Sequence, residues 1–149
     1  MAPGPAAVPV LVIDTNIVLD LLVFEDPASA ALRDQVLQRQ VDWLVTARMR
    51  AELQRVLAYP QIARRLAARS LAADAVLAQF DALSRPVPDG PRAVVRCKDP
   101  DDQIFIDLAL AHGAELLSKD ALVLRLRKRL AALGVRVARA RESASALPA

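Results

Sequence analysis

Carboxylates are the side chains of this sequence best placed to do chemistry. Asp14 stands in "VIDTN", Glu52 in "TARMRAELQRVL", Asp99, Asp101 and Asp102 in "KDPDDQIFID", and Asp120 in "LLSKD". Asp14 is the sharpest case. With Thr15 and Asn16 it interrupts the apolar run Val10–Leu22, and polar groups beside a core are costly unless paired or functional. Carboxylates brought together repel one another and raise each other's pKa, a conflict that a divalent cation removes. The available ligand atoms are oxygens, because the chain has one histidine, His112, and one cysteine, Cys97. That donor set excludes a conventional zinc site and favours Mg²⁺ or Mn²⁺.

Such a site requires elements that deliver the acids to one place. Residues 8–13 form a continuous β-branched run, as in a strand buried on both faces. A helix is predicted from Thr15 to Leu22 and another over about 28–39, after Asp26-Pro27. "VDWLVT" at 41–46 predicts the second strand, with Thr46 capping a helix that ends before Pro60. Ala- and Leu-rich segments at 61–69 and 71–84 predict two more helices. "RPVPDGPR" reads as a turn-rich connection and "AVVR" at 93–96 as a short third strand. Asp99 caps the next helix, with Pro100 at its first position and Gly113 at its end. "AELLS" at 114–118 predicts the fourth strand, 121–133 a helix stopped by Gly134, and "VRVAR" at 135–139 the fifth strand.

Short apolar strands alternating with helices imply a parallel sheet wrapped by helices, whose functional edge lies at the carboxyl ends of the strands. On this reading Asp14 follows the first strand, Asp99, Asp101 and Asp102 the third, and Asp120 the fourth. Glu52 lies on the helix after the second strand. There it sits about 60° from the centre of the stripe made by Met49, Leu53, Val56 and Leu57, at ~100° per residue. Thr15 and Asn16 are expected to hold the Asp14 carboxylate or the neighbouring backbone by hydrogen bonds.

Plainer readings exist for each acid. Asp14, Asp99 and Asp120 fit helix caps, Asp101 fits a first-turn charge, and Glu52 fits an i−4 ion pair with Arg48. Asp107 lies about 140° around its helix from Asp102 and is not expected to share its site. Asp20 has no assigned role, His112 reads as a helix-end residue and Cys97 as a small core or strand-end residue.

The chain of 149 residues suggests one domain over 1–149, with a loose arm at about 1–7 and a loose tail at about 141–149. The lone cysteine leaves no internal disulfide, so a reducing intracellular setting is expected. No apolar run approaches the ~18–20 residues needed to cross a bilayer. "MAPGPAAVPV" lacks the basic start of a signal peptide. Net charge is +3. The sequence pI is about 9.6. Arginines crowd 64–70 and 125–141, apart from the acids, an arrangement suited to a phosphate-bearing substrate held near metal ions. The plainer reading makes these solvated helix faces. Aromatic residues make up 3% of the chain, which leaves little for base stacking.

Four pieces resemble the PIN-domain ribonucleases, a family that includes toxins of bacterial toxin–antitoxin pairs. They are "VIDTNIVLDLL", "TARMRAELQRVL", "DPDDQIFIDLALAHGA" and "ELLSKDALVL", in family order and spanning most of residues 10–124. The resemblance implies a Rossmann-like α/β/α sandwich with a parallel sheet of about five strands, the strand ending at Asp14 being central. It implies Asp14, Glu52, Asp102 and Asp120 as an acidic quartet holding one or two Mg²⁺ or Mn²⁺ ions. Asn16 and Ser118 are its polar supporters, and Ser118 stands where the family usually has Thr. It also implies an RNA substrate, a possible antitoxin partner, a cytoplasmic homodimer, and a helical insert over 59–92 that carries no motif. Two alternatives remain open from the residues: a haloacid-dehalogenase-type phosphotransferase, which wants a second acid where this chain has Asn16, and a PIN-like module that binds RNA or protein without cutting.

Overall fold

The computed structural model describes residues 8–141. The loose arm expected at 1–7 and the tail beyond Arg141 lie outside the described residues. Arg141 itself is not loose: its guanidinium pairs with Glu115 and donates to Gln35 Oε1 at 3.0 Å.

The continuous apolar run folds as strand β1 (Val10–Ile13), whose Leu11, Val12 and Ile13 are buried. Asp14 caps helix α1 (Thr15–Leu19), which continues into one π-helical turn over Asp20–Phe24 and stops at Glu25 with φ 49°. A short 3₁₀ turn leads into α2 (Ala30–Leu37). Then come β2 (Asp42–Val45), and α3 (Ala47–Leu57) capped by the Thr46 hydroxyl. The expected insert provides α4 (Pro60–Ala68) and α5 (Ala73–Leu83). Strand β3 (Arg85–Pro86) follows; after it come a 3₁₀ turn over Pro100–Asp102 and α6 (Gln103–His112). The chain ends its described course with β4 (Glu115–Leu117), α7 (Ala121–Leu124), α8 (Arg127–Ala132) and β5 (Val137–Ala138).

All strand pairs are parallel, in the order β3-β2-β1-β4-β5, with β1 in the centre. The register sets Leu11 opposite Trp43 on one side and Ile13 opposite Leu117 on the other. The backbone N–H of Asp14 extends the β1–β4 ladder by donating to Leu117 O at 2.9 Å. Helices flank this sheet through their apolar stripes: Met49, Leu53 and Leu57 on α3, Phe105, Ile106, Leu108 and Ala109 on α6. Trp43 meets Phe80 of α5 edge-on, ring centres 5.2 Å apart, a favoured aromatic geometry. This is the expected α/β/α architecture.

Two expectations need correction. The third strand is not 93–96. It is Arg85–Pro86, inside the segment read as a turn-rich connection, and Val87 N extends the pairing to Val45 O at 2.9 Å. Proline is tolerated there because β3 is an edge strand. Arg85 is further held by a bidentate pair with Asp42. Residues 93–97 form no strand because side chains of α6 satisfy their backbone. Ala93 N donates to Asp107 Oδ1 at 2.9 Å, Cys97 N donates to Gln103 Oε1 at 2.7 Å, and Val95 O accepts from Gln103 Nε2 at 2.9 Å. Asp107, off the acid face as expected, is thus a loop anchor. The helix predicted over 121–133 is also broken, at Arg125–Leu126, where Leu126 N turns back to Val123 O at 2.9 Å. That tighter bond is the usual signature of a 3₁₀ turn.

The loop before that anchor also presses on α6. A methyl group added at Gly90 would lie 2.5 Å from the Asp107 carbonyl oxygen, a backbone atom that cannot swing aside. Gly90→Ala is therefore expected to destabilise the fold by about 1–3 kcal/mol, as overpacking does. Thermal or urea unfolding of the variant against wild type checks this; an unchanged midpoint would contradict the close approach.

Candidate active site

The carboxyl ends of β1 and β4, the first half of α3 and the start of α6 converge on one rim. Asp14 is the most buried of its acids, 3% exposed. Its Oδ1 accepts the Asn16 backbone N–H at 3.1 Å, and its Oδ2 accepts the Ser118 hydroxyl at 2.7 Å. Burial pushes the Asp14 carboxyl above the usual range, and the hydrogen bonds from Ser118 and Asn16 oppose that shift. Ser118 is fully buried, and its Oγ also accepts the backbone N–H of Asp120 at 3.1 Å. One hydroxyl therefore joins the acid after β1 to the acid after β4.

Glu52 comes from the second turn of α3 and is half-buried. Its Oε2 accepts the Thr15 hydroxyl at 2.8 Å, and the i−4 pair with Arg48 does not form. Burial raises its pKa, and the nearby Asp14 and Asp101 add to the rise. Thr15 thus orients Glu52 rather than Asp14, a correction to its expected role. Asn16 serves Asp14 through its backbone, and the residue is exposed.

Asp102 has the least comfortable position. The residue is 8% exposed, and its Oδ2 is buried without a hydrogen-bond partner. Burial first, then the charges of Asp14, Asp120, Asp99 and Glu52, push its pKa up to about 7. Carboxylate oxygens of Asp99, Asp102 and Asp120 lie within 4.8 Å of one another. Asp99 and Asp120 also cap their helices, Asp99 accepting from Asp101 N at 2.9 Å and Asp120 from Leu122 N at 2.8 Å. A cap and a converging acid are therefore not competing readings here.

These acids do not follow a third strand, as the sequence suggests; Asp99 and Asp102 arrive on the 3₁₀ turn before α6. By sequence Asp99 reads better as a cap than as a ligand, with a supporting place near the site left open, and the structure puts its carboxylate in the cluster. The signal that could have found it is the "DPDD" spacing, since an i, i+3 pair on one helical turn shares a face. Asp101 adds its charge to the field at Glu52 but stays exposed. Asp20, without a role from sequence, is 6% exposed and pairs with Lys119, between Ser118 and Asp120. A lone acid in an apolar run needed such a partner.

The chemistry of this rim is that of an oxygen-donor site. An unpartnered buried carboxylate oxygen beside two further carboxylates fits a hard divalent cation, which would accept the lone pairs and remove the repulsion. His112 is at the far end of α6. Cys97 borders the acids as a single thiol whose pKa is pushed up by burial and by the charges of Asp102, Asp120 and Asp99, so carboxylates dominate the donor set.

Fold and rim define a class: a parallel α/β domain with acids gathered at the carboxyl ends of its central strands. The PIN domain family matches residues 10–120 of the sequence, and the chain belongs to that family. The fold is also similar to a chain in the crystal structure of VapBC2 from Rickettsia felis bound to a DNA fragment from their promoter. The TM-score is 0.56 with 14% identity, covering 86% of this chain and 98% of that one. No curated protein matches the sequence.

The raised pKa of Asp102 makes a stability prediction with a definite sign. Its folded value, about 7, lies above the ordinary 3.8. The group therefore supports folding fully below about pH 4, and that support is lost as pH rises to 7. In chelator-containing buffer, Asp102→Asn is expected to melt above wild type at pH 8, with the difference shrinking toward pH 5. A variant less stable than wild type at pH 8 would show that the carboxylate is not held against its own charge.

Proposed function

We propose that this protein is a metal-dependent endoribonuclease that hydrolyses RNA phosphodiesters, and that it is the toxin of a toxin–antitoxin pair. The observation that carries the reading is the buried, unpartnered Oδ2 of Asp102 among the carboxylates of Asp99 and Asp120. Membership of the PIN family supports nuclease chemistry, and the likeness to a chain of a VapBC complex supports an antitoxin partner. A homodimer in the cytoplasm completes the proposal, following the family resemblance. Among the described residues no helix is long and apolar enough to cross a membrane.

In this reading Asp14, Glu52, Asp102 and Asp120 hold Mg²⁺ or Mn²⁺, with Asp99 beside them. A cation held there would supply Lewis acidity toward a water and toward the charge on the phosphodiester. The chain's own residues do the positioning. Ser118 and the Asn16 N–H keep both oxygens of Asp14 oriented, and the Thr15 hydroxyl turns Glu52 toward the rim. Pre-set acids lose little freedom when the cation enters. The haloacid-dehalogenase alternative is disfavoured because position 16, where it wants a second acid, contributes only its backbone to Asp14.

Incubation of single-stranded RNA with the protein tests the proposal. Cleavage should require Mg²⁺ or Mn²⁺, stop with chelator, and fall at least ~100-fold in Asp14→Asn, the usual scale for losing a group that positions or stabilises reacting charge. Mn²⁺ should also raise the melting temperature of wild type and do so far less in Asp102→Asn, as ligand linkage requires. Equal cleavage by Asp14→Asn would assign the activity to a contaminant or another site.

A further inference from the structure

The acid rim continues into a cleft between α3 and the start of α6, with a volume of about 250 Å³. Arg48, Glu52 and Arg55 line one wall, and Asp101 and Ile104 the other. The three α3 residues are spaced i, i+4, i+7 and so share one face. Glu52 belongs to both the cleft and the acid rim. Its hydrogen bond goes to Thr15. Arg55 acts on Glu52 as a neighbouring charge that lowers its pKa, and neither arginine forms an ion pair with it or with Asp101.

Many arginines of the molecule are already engaged, while others, Arg127 and Arg139 among them, are as unpaired as Arg48 and Arg55; what distinguishes the α3 pair is its place in the cleft beside the acids. Arg33 and Arg69 pair with Glu25, Arg50 with Asp81, Arg85 with Asp42 and Arg141 with Glu115. Arg65 lies over the Phe24 ring at 4.4 Å. Arg48 and Arg55 are exposed and make no hydrogen bond or ion pair among the described residues. Arg48 also sits in the first turn of α3, where the helix dipole disfavours a cation. Glu52, one turn on, and Asp101 across the cleft form no ion pair with it, and a bound anion would compensate the placement.

Seven residues of helix separate the two guanidinium stems by about 10 Å along the axis. They therefore suit two successive anions rather than one. Resting on the ribonuclease reading, we propose that this cleft is a subsite for the RNA backbone, in which Arg48 and Arg55 each bind a phosphate flanking the one placed at the acids. Both arginines are binding residues without a part in holding the cation. Guanidinium suits this task because its planar fork meets phosphate oxygens two at a time. Such contacts read the backbone and not the bases.

The test measures binding of single-stranded oligoribonucleotides of unrelated sequence, in chelator so that no cleavage intervenes, across a salt series. Arg48→Gln and Arg55→Gln should each weaken binding several-fold, alike for all sequences. Each should lower the slope of log K against log salt by about 0.7, the value for one phosphate on a single strand. Neither should lower the melting temperature, and both should keep the Mn²⁺-induced rise, which separates a binding role from a structural one. Arg127→Gln and Arg139→Gln, at the β5 edge groove, serve as comparison. If wild type binds RNA and the α3 variants match it in slope and affinity, the subsite is refuted while the ribonuclease reading stands. The subsite is equally refuted if a glutamate oligomer, and not RNA, shows the loss. If wild type binds no RNA, the subsite falls, and the ribonuclease reading is decided by the cleavage assay.

Discussion

The hydrogen bond from Ser118 to Asp14 is the constraint around which this end of the molecule is arranged. It joins residues 104 positions apart, at the carboxyl ends of the central strand and its neighbour, in a place where neither side chain is open to water. A buried carboxylate is tolerable only with donors aimed at it. Ser118 and the Asn16 N–H supply two, and the Ser118 donor is in place only because β1 and β4 lie side by side in one parallel register. The same hydroxyl receives the Asp120 N–H, so that the cap of α7 is tied to the acid of β1. Sheet register, helix capping and acid placement are therefore one connected set of contacts.

The rest of the rim is organised by unresolved repulsion. Asp14 and Glu52 are raised in pKa chiefly by burial and Asp102 by burial followed by four neighbouring carboxylates. An ordinary fold would avoid such a grouping or neutralise it with lysine and arginine, as this one does at Glu25, Asp42, Asp81 and Glu115. Lys119 stands between Ser118 and Asp120 in the chain, yet its ammonium is drawn to Asp20. Perturbed acids clustered at a strand-end rim mark a candidate functional site on physical grounds.

Positive charge divides along the same lines. Most ion pairs among the described residues tie one element of the scaffold to another, and there arginine is structural. Arg65 and Arg69, within the basic stretch at 64–70, belong to this group: one packs on Phe24 and the other holds Glu25. Arg48 and Arg55 near the rim form no ion pair, although Arg55 acts on Glu52 as a neighbouring charge. Counting basic residues along the sequence points to 64–70 and 125–141; Arg127 and Arg139 of the second stretch are also unpaired, so it is the place beside the acids, and not pairing alone, that marks the α3 arginines.

Much of this was legible in the residues. The apolar runs at 8–13, 41–46 and 114–118 determined strands buried on both faces, and Asp14, Thr46, Asp99 and Asp120 determined where helices start, because a short polar side chain can reach its own backbone two or three residues on. The quartet Asp14, Glu52, Asp102 and Asp120 is what the family resemblance implies from motif order; the acids whose oxygens lie within 4.8 Å of one another are Asp99, Asp102 and Asp120. Four matters were decided only by tertiary structure. The third strand moved to Arg85–Pro86 because Gln103 and Asp107 of α6 took the backbone groups of 93–97. Thr15 chose Glu52 over its neighbour Asp14 because α3 packs beside α1. Asp99 joined the acids because its turn faces Asp120, and Asp20 found Lys119 across 99 residues. Local rules decide where an element begins, but a side chain's partner depends on which other elements the core brings within hydrogen-bond reach, and that information is spread over the whole chain.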